Sequence, residues 1–405
     1  MTKLEQLIKE LCPNGVEYKK LSDIATVARG VRVVRDQLAE TGDIPVYQNS
    51  IKPLGYHDKS NVKAYSAFVI GAGAAGEIGF SDINFWAADD CYYFICPKEL
   101  NNRYLYFVLM KNQPFLVSKV RKASIPRLSR TFIENLIIPV PPIEVQAEIV
   151  RILDNFTELT AELTAELTAR KKQYEYYRDL LLDFGGSRQT DAVHGGGTSE
   201  CEWRTLGTVI ISLKTGLNPR QNFSLNENGS NLPYITGKDI YDNAINVTER
   251  TDRITTDALT LINKRANLES GLLLFASTGT GTVGRMAIIQ EYNNDWGISE
   301  TLYAIKVNEN IILTSFLLHY LYSASAKSQF EPKISKGSVP HLKVKDLEIV
   351  KVPIISIEEQ TRIVNILDRF DKLCNDISEG LPAEIEARRK QYEYYRDKLL
   401  SFKEV

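Results

Sequence analysis

Residues 169–184 read ARKKQYEYYRDLLLDF, and residues 387–402 read ARRKQYEYYRDKLLSF. Thirteen of the sixteen positions agree, including an unbroken QYEYYRD, so the chain carries an internal duplication. Upstream, Gln146–Leu159 (QAEIVRILDNFTEL) aligns with Gln360–Leu373 (QTRIVNILDRFDKL) at an offset of 214, with eight of fourteen positions identical. The same offset reaches back to Ile125-Pro126-Arg127-Leu128 and Val339-Pro340-His341-Leu342. Each half also opens alike, with Glu17-Tyr18-Lys19-Lys20-Leu21 against Glu202-Trp203-Arg204-Thr205-Leu206. Between openings and closings the two interiors share almost nothing. The pattern is a duplicated frame carrying two diverged inserts.

The closing segments have helical period. In the first, apolar residues fall at Ile149, Ile152, Phe156, Leu159, Leu163 and Leu167, then at Tyr174, Tyr177, Leu181 and Phe184. Arg170 is the one polar member of this stripe. The second gives Ile363, Ile366, Phe370, Leu373, Ile377, Leu381 and Ile385, then Tyr392, Tyr395, Leu399 and Phe402. Steps of three and four with one extra four describe a coiled-coil stripe carrying a stutter. The second stripe has one further step of four, which moves the offset from 214 to 218. Gly380 and Pro382 predict a kink or break there. Either stripe alone could be a core helix; two matched stripes can supply each other's apolar partner. At about 1.5 Å per residue, a helix from Glu144 to Phe184 spans ~60 Å, the length of roughly 18 base pairs of duplex DNA.

The expected fold is therefore α/β (α+β). Two globular domains are joined by two long antiparallel coiled-coil helices in a pseudo-two-fold repeat. The expected partition is 1–142 for the first domain, 143–184 for the central spacer helix and 185–200 for a flexible linker, GGSRQTDAVHGGGTSE. The second domain takes 201–355 and the C-terminal spacer helix 356–405. Inside the domains, Ala67–Ile70, Tyr92–Ile95, Leu272–Phe275 and Met286–Ile289 read as strands, and Asn102–Leu116 and Leu313–Tyr322 as helices.

Composition narrows the function. The 405 residues are 43% hydrophobic and 25% charged, as in soluble globular proteins of two or three domains. No apolar run reaches membrane-spanning length, and the start, MTKLEQLIKELCPNG, is too polar for a signal peptide. Five cysteines without a CxxC pairing fit a reducing cytoplasm. Gly71-Ala-Gly73-Ala-Ala-Gly76 and Gly279-Thr-Gly281-Thr-Val-Gly284 satisfy GxGxxG, and both follow a strand-like run. Dinucleotide binding would need a helix next, yet Glu77–Trp86 and Arg285–Gln290 look like second strands, so turns between strands are expected. Four scattered histidines offer no zinc pattern. Walker, GxSxG and amino-methyltransferase [DN]-P-P-[YF] motifs are missing from the sequence. Neither a catalytic residue nor a metal site is expected.

Basic residues are locally concentrated although the net charge is −2. Lys119, Arg121, Lys122, Arg127 and Arg130 occupy twelve residues without an acid, and Lys333, Lys336, His341, Lys343 and Lys345 occupy the matching stretch of the second half. Arg29, Arg32 and Arg35 form another cluster. Such groups suit phosphate contacts, which orient a protein on DNA without reading sequence. Polar loops at Tyr47-Gln48-Asn49, Arg220-Gln221 and Thr236-Gly237-Lys238 carry residue types that pair with base edges.

The tandem I-V-x-I-L-D-x-F … R-[KR]-K-Q-Y-E-Y-Y-R-D segments, each preceded by a diverged domain, resemble the DNA-specificity subunits of type I restriction-modification systems. The run Glu158-Leu-Thr-Ala, Glu162-Leu-Thr-Ala, Glu166-Leu-Thr-Ala is similar to the central repeat of one subgroup of them. The resemblance implies a cytoplasmic, non-catalytic protein whose two target recognition domains read a bipartite, asymmetric site on double-stranded DNA. It implies docking of two methyltransferase subunits, with motor-nuclease subunits in the full complex. S-adenosylmethionine, ATP and Mg would belong to those partners, and no cofactor to this chain. Two other readings are a coiled-coil scaffold that binds only protein, and a nucleotide-binding enzyme using the glycine strings.

Overall fold

The computed structural model describes residues 2–184, 201–375 and 380–405. The linker expected over 185–200 lies outside them. The chain divides into two compact units, Met1–Thr164 with Ile385–Val405, and Ala165–Glu384. Both are mixtures of helix and sheet. The division cuts across the linear partition, because each unit takes the start of one spacer segment and the end of the other.

The diverged inserts share one topology. In the first unit an antiparallel four-stranded sheet runs in the order Thr26–Arg29, Cys91–Ile95, Ser66–Ile70, Ile78–Ser81. Beside it stands a three-stranded sheet in which Ile44–Tyr47 pairs antiparallel with Gly55–His57 and parallel with Trp86–Ala87. The second unit repeats both sheets. Its four strands are Ile210–Thr215, Leu302–Val307, Leu273–Ala276 and Met286–Ile288, and its three are Arg253–Ile254, Leu232–Ile235 and Gly297–Ile298. The helices Asn102–Ser118 and Thr314–Tyr322 bury Phe107 and Leu109, and Phe316 and Leu317, in the respective cores. Each matched opening becomes a strand closing its own half: Tyr18–Lys20 pairs with Ile137–Pro139, and Glu202–Thr205 with Lys351–Ile354.

The GxGxxG strings are turns. Gly71–Gly76 joins the antiparallel neighbours Ser66–Ile70 and Ile78–Ser81, and Gly279–Gly284 joins Leu273–Ala276 to Met286–Ile288. Gly73, Gly76, Gly279, Gly281 and Gly284 have φ between 72° and 128°, which glycine alone adopts cheaply. Without a following helix there is no N-terminus to hold a pyrophosphate.

The spacer segments are helical over Ile143–Leu181, Ile357–Asn375 and Leu381–Leu399; Gly380 is a bend just before the last of these, and Pro382 sits in its first turn. Each is fastened to its domain by a buried glutamine. Gln146 accepts from the Asn101 N–H at 2.9 Å and donates to the Glu99 and Pro141 carbonyls at 2.9 and 2.7 Å. Gln360 does the same with Leu313 N–H and the Ile311 and Ile355 carbonyls. One amide thus satisfies three backbone groups that helix starts and strand ends leave open.

The stripe expected to form one helix–helix seam divides in two. Ile149 and Ile363 are fully buried in the globular cores beside Leu153 and Leu367, which the stripe left out. Tyr174 and Tyr392 also pack on globular cores, and Ile152 and Ile366 lie half-buried at their edges. Phe156 stacks on Tyr395 at 5.4 Å and Phe370 on Tyr177 at 5.7 Å. Leu159 and Leu373 are exposed, while Leu163 is half-buried. A 3-4 alternation cannot distinguish two adjacent apolar faces from one; the i, i+4, i+8 set Val145, Ile149 and Leu153 turns toward the domain.

Two consequences can be measured by denaturation of the full chain. Gln146→Ala or Gln360→Ala leaves three backbone groups unpaired, one buried and two part-buried, at about 1–3 kcal/mol for a fully buried group and less where water can reach. Each variant is expected to lose at least about 2 kcal/mol, and a loss below about 0.5 kcal/mol would show that water replaces the amide. In the first unit, hydrogen bonds from Arg151 and Lys3, at 2.7 and 3.1 Å, lower the buried Glu148 carboxyl from 4.5 to about 2. A depressed carboxyl stabilises the fold above its unfolded pKa and loses that contribution as pH falls toward 2. Glu148→Gln should therefore be destabilised relative to wild type at neutral pH and converge with it near pH 2.

Candidate nucleic-acid interface

Five loops converge in each half at one end of the sheets. In the first half a Cβ on Gly30 would overlap the Ala87 and Ala88 carbonyls, so this crossing requires glycine. Ala88 N–H donates to Tyr47 O, Ala74 N–H to Asn49 O and Gly71 N–H to Asp90 O, at 2.7–2.9 Å. Gly73 N–H donates to Pro126 O, and Leu128 N–H to Gly71 O. Arg121 and Arg127 exchange backbone hydrogen bonds, making 121–127 a small hairpin hung on the glycine turn.

The second half repeats the scaffold. A Cβ on Gly216 would overlap the Ile298 carbonyl. Ser299 N–H donates to Ile235 O, Ser277 N–H to Thr301 O, Gly279 N–H to Pro340 O and Leu342 N–H to Ser277 O. The hairpin closes between Ser335 and His341. Loops 47–49 and 235–237, 88–90 and 299–301, and 121–127 and 335–341 are therefore counterparts.

In the first half Arg29, Lys119, Arg121 and Arg127 line one cavity of about 410 Å3 with a single acid, Asp90, and with Tyr92 and Phe132 on its wall. Arg29 Nε donates to the Asp89 carbonyl at 2.6 Å, which fixes the side chain at the mouth. Arg32, Gln48 and Asn49 line an adjoining recess with Leu38 and Leu54. Lys122 is exposed on the hairpin outside the cavity. Arg130 is spoken for, in a 2.9 Å ion pair with Glu134 one turn along its own helix. Tyr47 departs most from the sequence reading. Strand alternation turns its ring inward onto Phe68 at 4.4 Å and Phe85 at 5.4 Å, and burial pushes its phenol up. It packs as a partly buried aromatic against the Phe68–Phe85 cluster.

In the second half Lys333, Lys336 and Lys343 are exposed, with Lys333 and Lys336 at the sequence positions that match Lys119 and Lys122. His341 occupies the place of Arg127, half-buried, with Nδ1 2.7 Å from Thr278 Oγ1. Arg220 and Gln221 are exposed on the single turn Pro219–Asn222, capped by Asn218. Lys238 Nζ lies 3.7 Å from Asp252. The cavity beside this glycine turn is rich in hydroxyls and holds two carboxylates, Asp252 and Glu300. Sequence reasoning missed Asp89, Asp90, Asp252 and Glu300, since single acids in loops carry no local signal. It also missed Gly30 and Gly216, whose requirement appears only where two loops cross.

Among the described residues no helix is long and apolar enough to cross a membrane, and no group of three or more His, Cys, Asp or Glu is placed to hold a metal.

Two mixed domains of one topology, each followed in the chain by a copy of the spacer segment, define a duplicated two-domain architecture. The family described as type I restriction modification DNA specificity domain matches residues 13–170 and 199–387, and the chain belongs to it. The EcoR124I/EcoR124II specificity subunit of Escherichia coli is 39% identical over 270 residues, covering 65% of this chain and 61% of that protein. A protein of Haemophilus influenzae described as a putative type I restriction enzyme specificity subunit is 30% identical over 423 residues, covering 99% of this chain and 98% of its own. The crystal structure of the type I restriction-modification S subunit from M. genitalium superposes with a TM-score of 0.59 at 19% identity, over 96% of this chain and 97% of that one. That likeness establishes the fold.

Replacing Lys119, Arg121 and Arg127 together by Ala should weaken binding to every duplex sequence. The slope of log K against log salt should shrink by up to about 2.7, roughly 0.9 for each phosphate no longer neutralised. Arg130→Ala should leave the slope unchanged, because that charge is already neutralised by Glu134. Equal slopes for wild type and the triple variant in a salt titration would place the cavity away from DNA.

Proposed function

We propose that this chain is the sequence-reading, non-catalytic subunit of a type I restriction-modification complex, and that each half reads one part of a bipartite, asymmetric site on double-stranded DNA. The observation that carries this reading is one five-loop face built twice on matched frames from unrelated loop residues. A reader of two different sequences needs the same backbone platform with different side chains. The spacer segments pair as antiparallel helices and set the gap between the half-sites. They also provide repeated surface for two methyltransferase subunits, while motor-nuclease subunits complete the assembly. S-adenosylmethionine, ATP and Mg reside in those partners, and the complex works in the cytoplasm.

Exchanging residues 207–338 for the corresponding insert of a relative should change one half-site and leave the other intact. Deleting Thr164–Leu167, one tetrad of the run, removes about 6 Å of helix and turns the remainder by ~40°. Methylated sites mapped for this variant should keep both half-site sequences while the preferred gap shortens by one or two base pairs, with DNA bending absorbing any mismatch. Full activity at an unchanged gap would show that these helices do not set the distance.

A further inference from the structure

On the second recognition face, a cavity lined by hydroxyls and two carboxylates singles out Glu300. The first-half cavity gathers four cations around one acid. The second-half cavity beside Gly279 lies on the side of loops 235–238 and 299–301, away from the hairpin positions 333, 335 and 341. It presents the hydroxyls of Thr278, Thr280, Thr282 and Thr301, with Asp252 and Glu300, and its one cation, Lys238, lies near Asp252. A phosphate approaching this cavity meets two like charges, which costs affinity. A base edge does not.

Glu300 is half-buried at the position that Asp89 takes in the first half, one residue past Ser299, whose N–H bonds to Ile235 O at the end of the strand Gly297–Ile298. Its Oε1 accepts from Asn218 Nδ2 at 2.8 Å, and its Oε2 lies 3.4 Å from the oxygen of the Tyr234 hydroxyl. Asn218 is a neutral donor, so its bond aims the carboxylate and leaves its charge in place. Each carboxylate oxygen has two lone pairs, so acceptor capacity remains on both. In a DNA groove the partner suited to such a group is an exocyclic amino hydrogen, as when a carboxylate accepts from cytosine N4. Tyr234 in turn donates to Leu217 O at 2.7 Å, tying the position of Glu300 to the loop that crosses at Gly216. Closing over an amino group would supply the hydrogen bond that a carboxylate losing water needs.

We propose that Glu300 is a specificity-determining residue of the second domain, selecting the exocyclic amino group of one base in its half-site. The inference rests on the DNA-reading function proposed above. The full chain, assembled with the methyltransferase subunits of its host, is assayed for binding and methylation on duplexes randomised across the second half-site. Wild type, Glu300→Ala and Glu300→Gln are compared. Glu300→Ala should relax the preference at one base pair by roughly 5-fold or more and leave the first half-site untouched. Glu300→Gln keeps the volume and an acceptor for Asn218, so it tests the charge in a folded domain; it should relax the same base pair.

A second arm replaces single bases by analogues lacking the amino group: purine for adenine, 2-pyrimidinone for cytosine, hypoxanthine for guanine. One of these should weaken wild type and leave Glu300→Ala unaffected, which also identifies the base. The proposal is overturned if wild type and Glu300→Ala respond alike to every analogue, or if both variants lose affinity equally for all sequences. A wild-type complex with no sequence preference in the second half-site would instead overturn the reading function on which the proposal rests.

Discussion

One aromatic contact, made twice, organises the chain. The phenylalanine of each I-L-D-x-F segment stacks on the last tyrosine of the other repeat's Q-Y-E-Y-Y, as Phe156 on Tyr395 and Phe370 on Tyr177. A helix running on from its own domain cannot fold back onto its start, so its aromatic end is available to another segment. The exchange explains why each compact unit draws on residues far apart in sequence. The C-terminal residues complete the first unit: Val16 N–H donates to Lys403 O, and Lys111 Nζ donates to the Leu400 carbonyl and the Ser401 hydroxyl at the helix end.

Around this contact the repeats keep some polar bonds and vary others. The glutamine at each helix start serves matching backbone partners, because an orphaned amide or carbonyl there would be costly in any version of the domain. The aspartates eight residues on take different partners. Asp154 pairs with Arg103, whose guanidinium lies over Phe80, Tyr106 and Phe107, whereas Asp368 accepts from His319 Nε2 while Tyr174 donates to Nδ1. Backbone satisfaction is invariant between the halves, and side-chain pairing can drift provided charge and volume still match.

The recognition faces follow the same rule. Their shared geometry comes from backbone hydrogen bonds and from glycines at crossings where no Cβ fits, none of which depends on what the loop side chains are. One scaffold can therefore carry Arg121 and Arg127 in the first half where the second carries Ser335 and His341. Electrostatic attachment and base selection need not be shared equally between the halves.

The sequence by itself determined the duplication, the helical character of the repeats, the bend at Gly380 and the strands flanking both glycine turns. These follow from periodicity and from backbone preferences that act over a few residues. It also located the matching basic stretches, since Lys119 and Lys122 recur as Lys333 and Lys336 at the constant offset. Tertiary structure alone decided which apolar residues face a domain and which face a helix: Ile149 and Phe156 belong to one stripe in the sequence and to different contacts in the fold. It alone turned Tyr47 into the core, neutralised Arg130 and brought Glu300 beside Gly279. Most of these outcomes depend on a partner tens or hundreds of residues away, and local periodicity contains no information about which distant side chain will arrive.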